Sequence, residues 1–289
     1  MKSYGGHTMT GTLQRVLVCR PAAAGWGAGT SWRELGYVHA PEADAAAEQH
    51  QRLVRALEDA GAEVLELPED DALTLDAVYA HDASFPTDHG MILMRPGKAT
   101  RRGEPDAHAR WFGAHDIPVL GRIEPPGLTE AGDMVWLDPE TVLIGEGYRT
   151  NADGIEQVRQ LLAPFDVRVV TAPLPYGPGP DACLHLMSLI SILDERAALV
   201  DLPWLSVSTV GELDRRGFHL VPIEASERDS LCCNVLALGA KKLLGIAENE
   251  KTNVRLENEG FEVSTYPGSE ISLNGSGGPT CLTRPLLRG

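Results

Sequence analysis

The order strand, strand, helix, strand recurs about five times along this chain, and no other feature narrows the fold as much. Apolar runs predict strand segments at residues 15–19, 62–67, 89–94, 117–120, 134–137, 141–144, 167–171, 184–193, 197–201, 219–222, 234–238, 242–246 and 261–266. Helical periodicity predicts helices at 42–60, 104–114, 151–162, 207–216 and 249–259. Gly61 stops the first and Asn151 caps the third. The rounds share an order of elements, not residue identities. No low-complexity linker divides them, so one pseudo-repeated α/β domain is expected over 15–289, behind a loose polar tail at 1–14. A doubly wound nucleotide-binding fold is disfavoured. Gly25-x-Gly27-x-Gly29 lacks the G-x-G-x-x-G spacing and reads instead as a flexible loop with Trp26 at its tip.

Acidic residues outnumber basic ones by 41 to 25, a formal charge of −16. A field of that sign repels nucleic acid and anionic membranes and attracts small cations. The five cysteines (Cys19, Cys183, Cys232, Cys233 and Cys281) are odd in number, and none falls in a zinc-spaced pattern. Reduced thiols in a cytoplasm, with no metal and no cofactor, are therefore expected. The first residues lack the apolar run of a signal peptide, and no stretch reaches membrane-spanning length.

Four polar segments and a glycine-rich end break the apolar pattern where strands end. His81-Asp82-Ala-Ser-Phe85-Pro-Thr-Asp88 sets two carboxylates beside an apolar strand, where an unpaired charge is costly. Arg95 to Arg102 gathers four cations, either a solvated loop or a clamp for a carboxylate. Glu130 and Asp133 stand at the mouth of the strand at 134–137, and Arg149 lies where the next strand runs into a helix. His185 lies inside an apolar run with Cys183 and Met187. A histidine so placed is more often a satisfied core residue than a catalyst. Cys281 follows Gly275, Gly277 and Gly278. Their freedom would let a substrate approach the main chain, although the segment alone suits a buried structural thiol better. Taken together, a thiol, an imidazole, carboxylates and two arginines suit attack on a cationic carbon electrophile such as a guanidinium.

In their order these segments resemble the dimethylarginine dimethylaminohydrolases of the guanidino-group-modifying superfamily. The resemblance rests on Asp-x-x-Phe-x-x-Asp at 82–88, Arg-Pro-Gly and Arg-Arg-Gly-Glu within 95–104, Glu-Ala-Gly-Asp at 130–133, Arg-Thr-Asn at 149–151, Leu-His-Leu at 184–186 and Gly-Gly-x-x-Cys at 277–281. It implies a five-bladed α/β propeller of ββαβ modules. It also implies covalent hydrolysis in which Cys281 attacks the guanidinium carbon and His185 transfers protons. By the same resemblance Glu130 and Asp88 hold the guanidinium, Asp82 the α-amino group, Arg101 and Arg149 the α-carboxylate, and Phe85 lines the substrate site. Thr87 departs from the acidic residue usual before the motif's second aspartate, and the Gly177-Pro-Gly-Pro180 loop is longer than usual. Both leave the choice among methylated arginine, arginine and another guanidino compound open. Amidino transfer is a third outcome of the same intermediate. A non-enzymatic propeller is disfavoured by the retained thiol, imidazole and carboxylates. The expected partner is a small guanidino compound, with neither nucleic acid nor membrane, and a homodimer is admissible.

Overall fold

The computed structural model describes residues 3–28, 32–180 and 182–289. Its strands form five three-stranded sheets. The first joins β1 (Leu13–Cys19) and β2 (Glu63–Leu67) to the last strand of the chain, β15 (Arg284–Arg288). The others are β3 (Ser84–Thr87), β4 (Gly90–Leu93) and β5 (Val119–Arg122); β6 (Met134–Asp138), β7 (Thr141–Glu146) and β8 (Arg168–Pro173); β9 (Ile190–Asp194), β10 (Ala197–Val200) and β11 (His219–Pro222); and β12 (Leu236–Gly239), β13 (Lys242–Ile246) and β14 (Glu262–Tyr266). In each sheet an antiparallel pair is followed by a helix and a parallel third strand. The helices are α1 (Ala43–Asp59), α2 (Glu104–Ala114), α3 (Ala152–Leu162), α4 (Val207–Arg215) and α5 (Glu250–Asn258). A parallel pair needs such a crossover, whereas an antiparallel pair needs only a tight turn. The result is a five-bladed α/β propeller.

Burial falls from one side of each sheet to the other. The first strands, such as β3 and β12, are buried along their length, while outer strands such as β2 and β14 are mostly open. Apolar side chains join each blade to the next. Phe85 and Ile92 pack with Met134 and Trp136, Leu143 with Ile190, and Leu199 with Ala237. Leu238 and Leu244 then pack with Leu17, Leu286 and Leu93, which closes the ring.

The helices fall where periodicity places them, and Asn151 caps α3 by accepting from Gly154 N at 2.9 Å. Two inner strands, β3 and β15, are not legible in advance. Each is short and contains a proline, and each lies at a sheet edge, where a missing N–H costs no ladder bond. The run at 184–193 is not one strand. A 3₁₀ turn at Leu186–Ser188 precedes β9. Trp26 is buried rather than a loop tip, with its Nε1 donating to Leu75 O at 3.1 Å. Residues 29 and 30 of that loop lie outside the described residues.

From Gly5 on, the polar N-terminal segment is tied down rather than loose. Gly5 bridges to Leu287. His7 is buried, stacks on Trp136 with centroids 4.0 Å apart, and accepts from Asp88 N at 3.0 Å through its Nε2. His7→Ala is expected to lower stability by about 1–2 kcal/mol through the lost stacking and hydrogen bonds. Denaturant titration checks this, and an unchanged midpoint would mean that the segment is not anchored.

Candidate active site

Every inner strand is preceded by a polar residue facing the middle of the ring. Asp82 stands two residues before β3, Glu130 four before β6, His185 five before β9, Asn234 two before β12 and Cys281 three before β15. Hydrogen bonds run from each blade to the next around this centre. His81 N donates to Cys281 O at 3.1 Å, and Ala131 N to Asp82 O at 3.1 Å. Leu186 N donates to Asp133 Oδ1 at 2.8 Å, Val235 N to Ser191 Oγ at 3.2 Å, and Thr280 N to Asn234 Oδ1 at 3.0 Å. A cleft of about 800 Å³ opens over the ring, with Asp82, His185 and Cys281 among its lining residues.

His185 is the N-cap of its 3₁₀ turn, and its backbone N–H donates to Ser188 Oγ at 3.2 Å. Its Nε2 lies 2.7 Å from Glu130 Oε2. Burial disfavours the charged ring, but the surrounding acids Cys183, Asp82 and Asp133 outweigh it, so its pKa rises well above the usual histidine value. Burial opposes the Glu130 carboxylate too, yet the hydrogen bond and charge of His185, with Arg149, hold it down at about 2. Burial pushes Asp133 up to about 6. Gly132 leaves room for this packing. A Cβ there would stand 2.7 Å from His185 Nδ1 and 2.8 Å from Asp82 Oδ1.

Cys281 is half-buried at the cleft, and its sulfur accepts from Asn234 Nδ2 at 3.2 Å. Burial pushes the thiol up to about 12, with the Asp82 charge adding to it and His185 opposing. A thiol raised this far is protonated at neutral pH. Gly275 and Gly277 do make a close approach possible, but what approaches is the chain's own Tyr79. A Cβ at Gly275 would lie 2.1 Å from the Tyr79 hydroxyl oxygen. Neither glycine has a positive φ. The left-handed residue in that loop is Ser276, at 64°.

Asp82 accepts from Gly132 N at 2.9 Å and from Arg101 Nη1 at 2.5 Å. Arg101 is buried, and its fork also grips Glu104 through Nε at 2.8 Å and Nη2 at 2.7 Å. It is thus committed to holding Asp82 rather than open as a carboxylate clamp. Arg149 Nη1 lies 3.1 and 3.0 Å from the two oxygens of Glu130, so the chain's own guanidinium covers that carboxylate. The ligand atoms of Asp82, Glu130 and His185 lie within 4.8 Å of one another, the one group among the described residues close enough to hold a metal ion. A metal ion there would compete with Arg149 for Glu130 and with Arg101 for Asp82.

Phe85 and Asp88 are not brought to this centre. Phe85 lies in the core, stacked on Trp136 at 5.3 Å. Asp88 sits in the turn at the far end of β3 and accepts from Gly6 N at 3.0 Å. The spacing Asp-x-x-aromatic-x-x-Asp also occurs six residues earlier, as Asp76-x-x-Tyr79-x-x-Asp82, and all three of those residues line the cleft. The earlier copy is the one that the fold places at the site. Asp76 is buried there and pairs with Lys98 Nζ at 2.6 Å. Cys183, exposed and 3.8 Å from His185 Nδ1, is a second thiol in the cleft.

The family profile described as N,N dimethylarginine dimethylhydrolase, eukaryotic, matches residues 34–288. A dimethylarginine dimethylaminohydrolase of Streptomyces coelicolor is 32% identical over 75% of this chain and 77% of its own length. The chain belongs to the dimethylarginine dimethylaminohydrolase family. Members of that family are amidine hydrolases. The Pseudomonas aeruginosa enzyme of the same name, in a cysteine-to-serine mutant complexed with citrulline, shares its fold with a TM-score of 0.76. It is 25% identical, and the match covers 94% of this chain and 99% of the other. The N-terminal domain of ArgZ, a cyanobacterial arginine dihydrolase, has the same fold with a TM-score of 0.78 at 20% identity, covering 95% and 97% of the two chains. Among the described residues no helix is long and apolar enough to cross a membrane.

If the acids around His185 hold its proton, Asp133→Asn removes one of them and keeps the acceptor for Leu186 N. The ring's titration midpoint is then expected to fall, as read by NMR of the His185 imidazole. An unmoved midpoint would contradict the assignment.

Proposed function

We propose that this family member hydrolyses the guanidinium of a methylated arginine to citrulline and a methylamine through a covalent intermediate on Cys281. The observation that carries the reading is the meeting of Cys281, His185 and Asp82 at one cleft, with Glu130 directly beneath. Bringing a guanidinium beside Cys281 adds a positive charge where burial now holds the thiol protonated, which favours the thiolate, its proton passing to water in the open cleft. The sulfur bonds to the guanidinium carbon, and the methylamine leaves with a proton from His185. The S-alkylthiouronium that remains is attacked by water, which gives a proton back to His185. The carbon–sulfur bond then breaks to yield the ureido product and free Cys281.

Asp82 and Glu130 hold the guanidinium. Asp82 thus moves from the α-amino end expected for it to the reacting end, and Asp76 is better placed for the α-amino group. Arg149 has to leave Glu130 as substrate enters, which frees it to meet the α-carboxylate. One observation supports unmethylated arginine as a second reading. With the motif in its earlier register, His81 occupies the position where dimethylarginine hydrolases usually carry an acid.

Incubation with dimethylarginine, monomethylarginine and arginine in turn is expected to release a ureido product, with the highest kcat/KM on a methylated arginine. A preference for arginine would overturn the substrate, and no product from any of the three would overturn the reaction. Cys281→Ser is expected to abolish turnover. Arg149→Ala is expected to raise KM by about tenfold through loss of a charge-assisted contact, and a normal KM would contradict its role.

A further inference from the structure

Four of the five inner strands are preceded by a residue already given a role: Asp82, Glu130, His185 and Cys281. The strand without one is β12, and two residues before it stands Asn234, buried at 6% exposure. We propose that Asn234 is the fifth blade's contribution to the active site, a side-chain N–H donor that fixes the Cys281 sulfur and stabilises its thiolate. The proposal rests on the reading of Cys281 as the nucleophile.

Two observations set which end of the amide faces the sulfur. Thr280 N donates to Asn234 Oδ1 at 3.0 Å, and a backbone N–H can only donate, so the oxygen end is fixed. The nitrogen end is then the one left for the sulfur, at 3.2 Å. Thr280 is tied to the same blade by its hydroxyl, which donates to Val235 O at 3.3 Å. Gly278 makes the approach possible, since a Cβ there would lie 2.6 Å from Asn234 Oδ1. One amide therefore reads the backbone of the nucleophile loop with one end and its sulfur with the other.

The chemistry of the site calls for such a donor. Among the described residues Cys281 has no arginine or lysine as a hydrogen-bond partner, and Asp82 and Cys183 oppose its ionisation along with burial. His185 and the Asn234 hydrogen bond work in the other direction. A hydrogen bond to an ionised acceptor is stronger than one to the neutral form, so the amide favours the thiolate over the thiol.

The test is the pH dependence of Cys281 alkylation by iodoacetamide, followed by peptide mass spectrometry, in the wild type, Asn234→Ala and Asn234→Asp. Asn234→Ala is expected to slow alkylation about tenfold at neutral pH and to move its midpoint upward. Asn234→Asp keeps the acceptor for Thr280 N and the shape of the side chain, but it replaces the donor with a second negative charge. It is expected to be slower still. A residue that only shapes the loop would give the reverse order, with the aspartate close to wild type. That order, or wild-type rates in both variants, would overturn the proposal. Thermal midpoints identify a misfolded alanine variant, and the isosteric aspartate then carries the test alone. Alkylation needs no turnover. A protein that alkylates as expected yet converts no guanidino compound would refute the proposed function and leave this inference standing.

Discussion

A closed circuit of hydrogen bonds around the propeller centre is the constraint on which the rest of the structure depends. It links Cys281 to His81, Asp82 to Ala131, Asp133 to Leu186, Ser191 to Val235 and Asn234 to Thr280. Each link joins the start of one blade to the next. Pairing of β15 with β1 brings the end of the chain back to its beginning, so the circuit includes Cys281. Without that pairing the thiol would sit on a free C-terminal segment. With it, five residues far apart in sequence are fixed on one rigid frame, which a reacting constellation needs because small displacements are expensive.

The charges at this centre are arranged around a guanidinium. Glu130 and Asp82 each hold a side-chain guanidinium of the chain, Arg149 on the first and Arg101 on the second. The two pairs differ. Arg101 is buried and gripped by Glu104 as well, so it belongs to the frame. Arg149 is partly open, and among the described residues its ionic partner is Glu130 alone, which suits the displacement proposed for it. A carboxylate buried as fully as Glu130 would be costly without a cation, and His185 and Arg149 supply that charge.

Much of the architecture was legible in the sequence, because helix and strand periodicities alternate so regularly. The helix at 104–114 falls on the residues expected. The inner strands β3 and β15 were not legible. Each carries a proline, and β15 is flanked by arginines that look like a solvated tail but are buried: Arg284 Nη1 donates to Ser84 O and Arg288 Nη1 to Gly11 O. Cys281, His185 and Glu130 could be picked out as an ordered set, and the structure brings them together. The first motif belongs one register earlier than 82–88, at Asp76, Tyr79 and Asp82. Its spacing occurs twice around Asp82, and sequence alone does not say which copy precedes an inner strand. Six residues of extended chain span about 20 Å, which is why Asp88 ends up away from the centre while Asp82 reaches it. Asn234 carried no motif at all. Its signal was positional, as the polar residue before the fifth inner strand.

Whether Cys281 forms a covalent bond to a guanidinium carbon is measured directly by the mass of the protein quenched in acid during turnover of a methylated arginine. A thiouronium adduct is expected on the peptide that contains Cys281, disappearing as substrate is exhausted. An adduct on Cys183 instead, or turnover with no adduct on any thiol and an active Cys281→Ser protein, would contradict it.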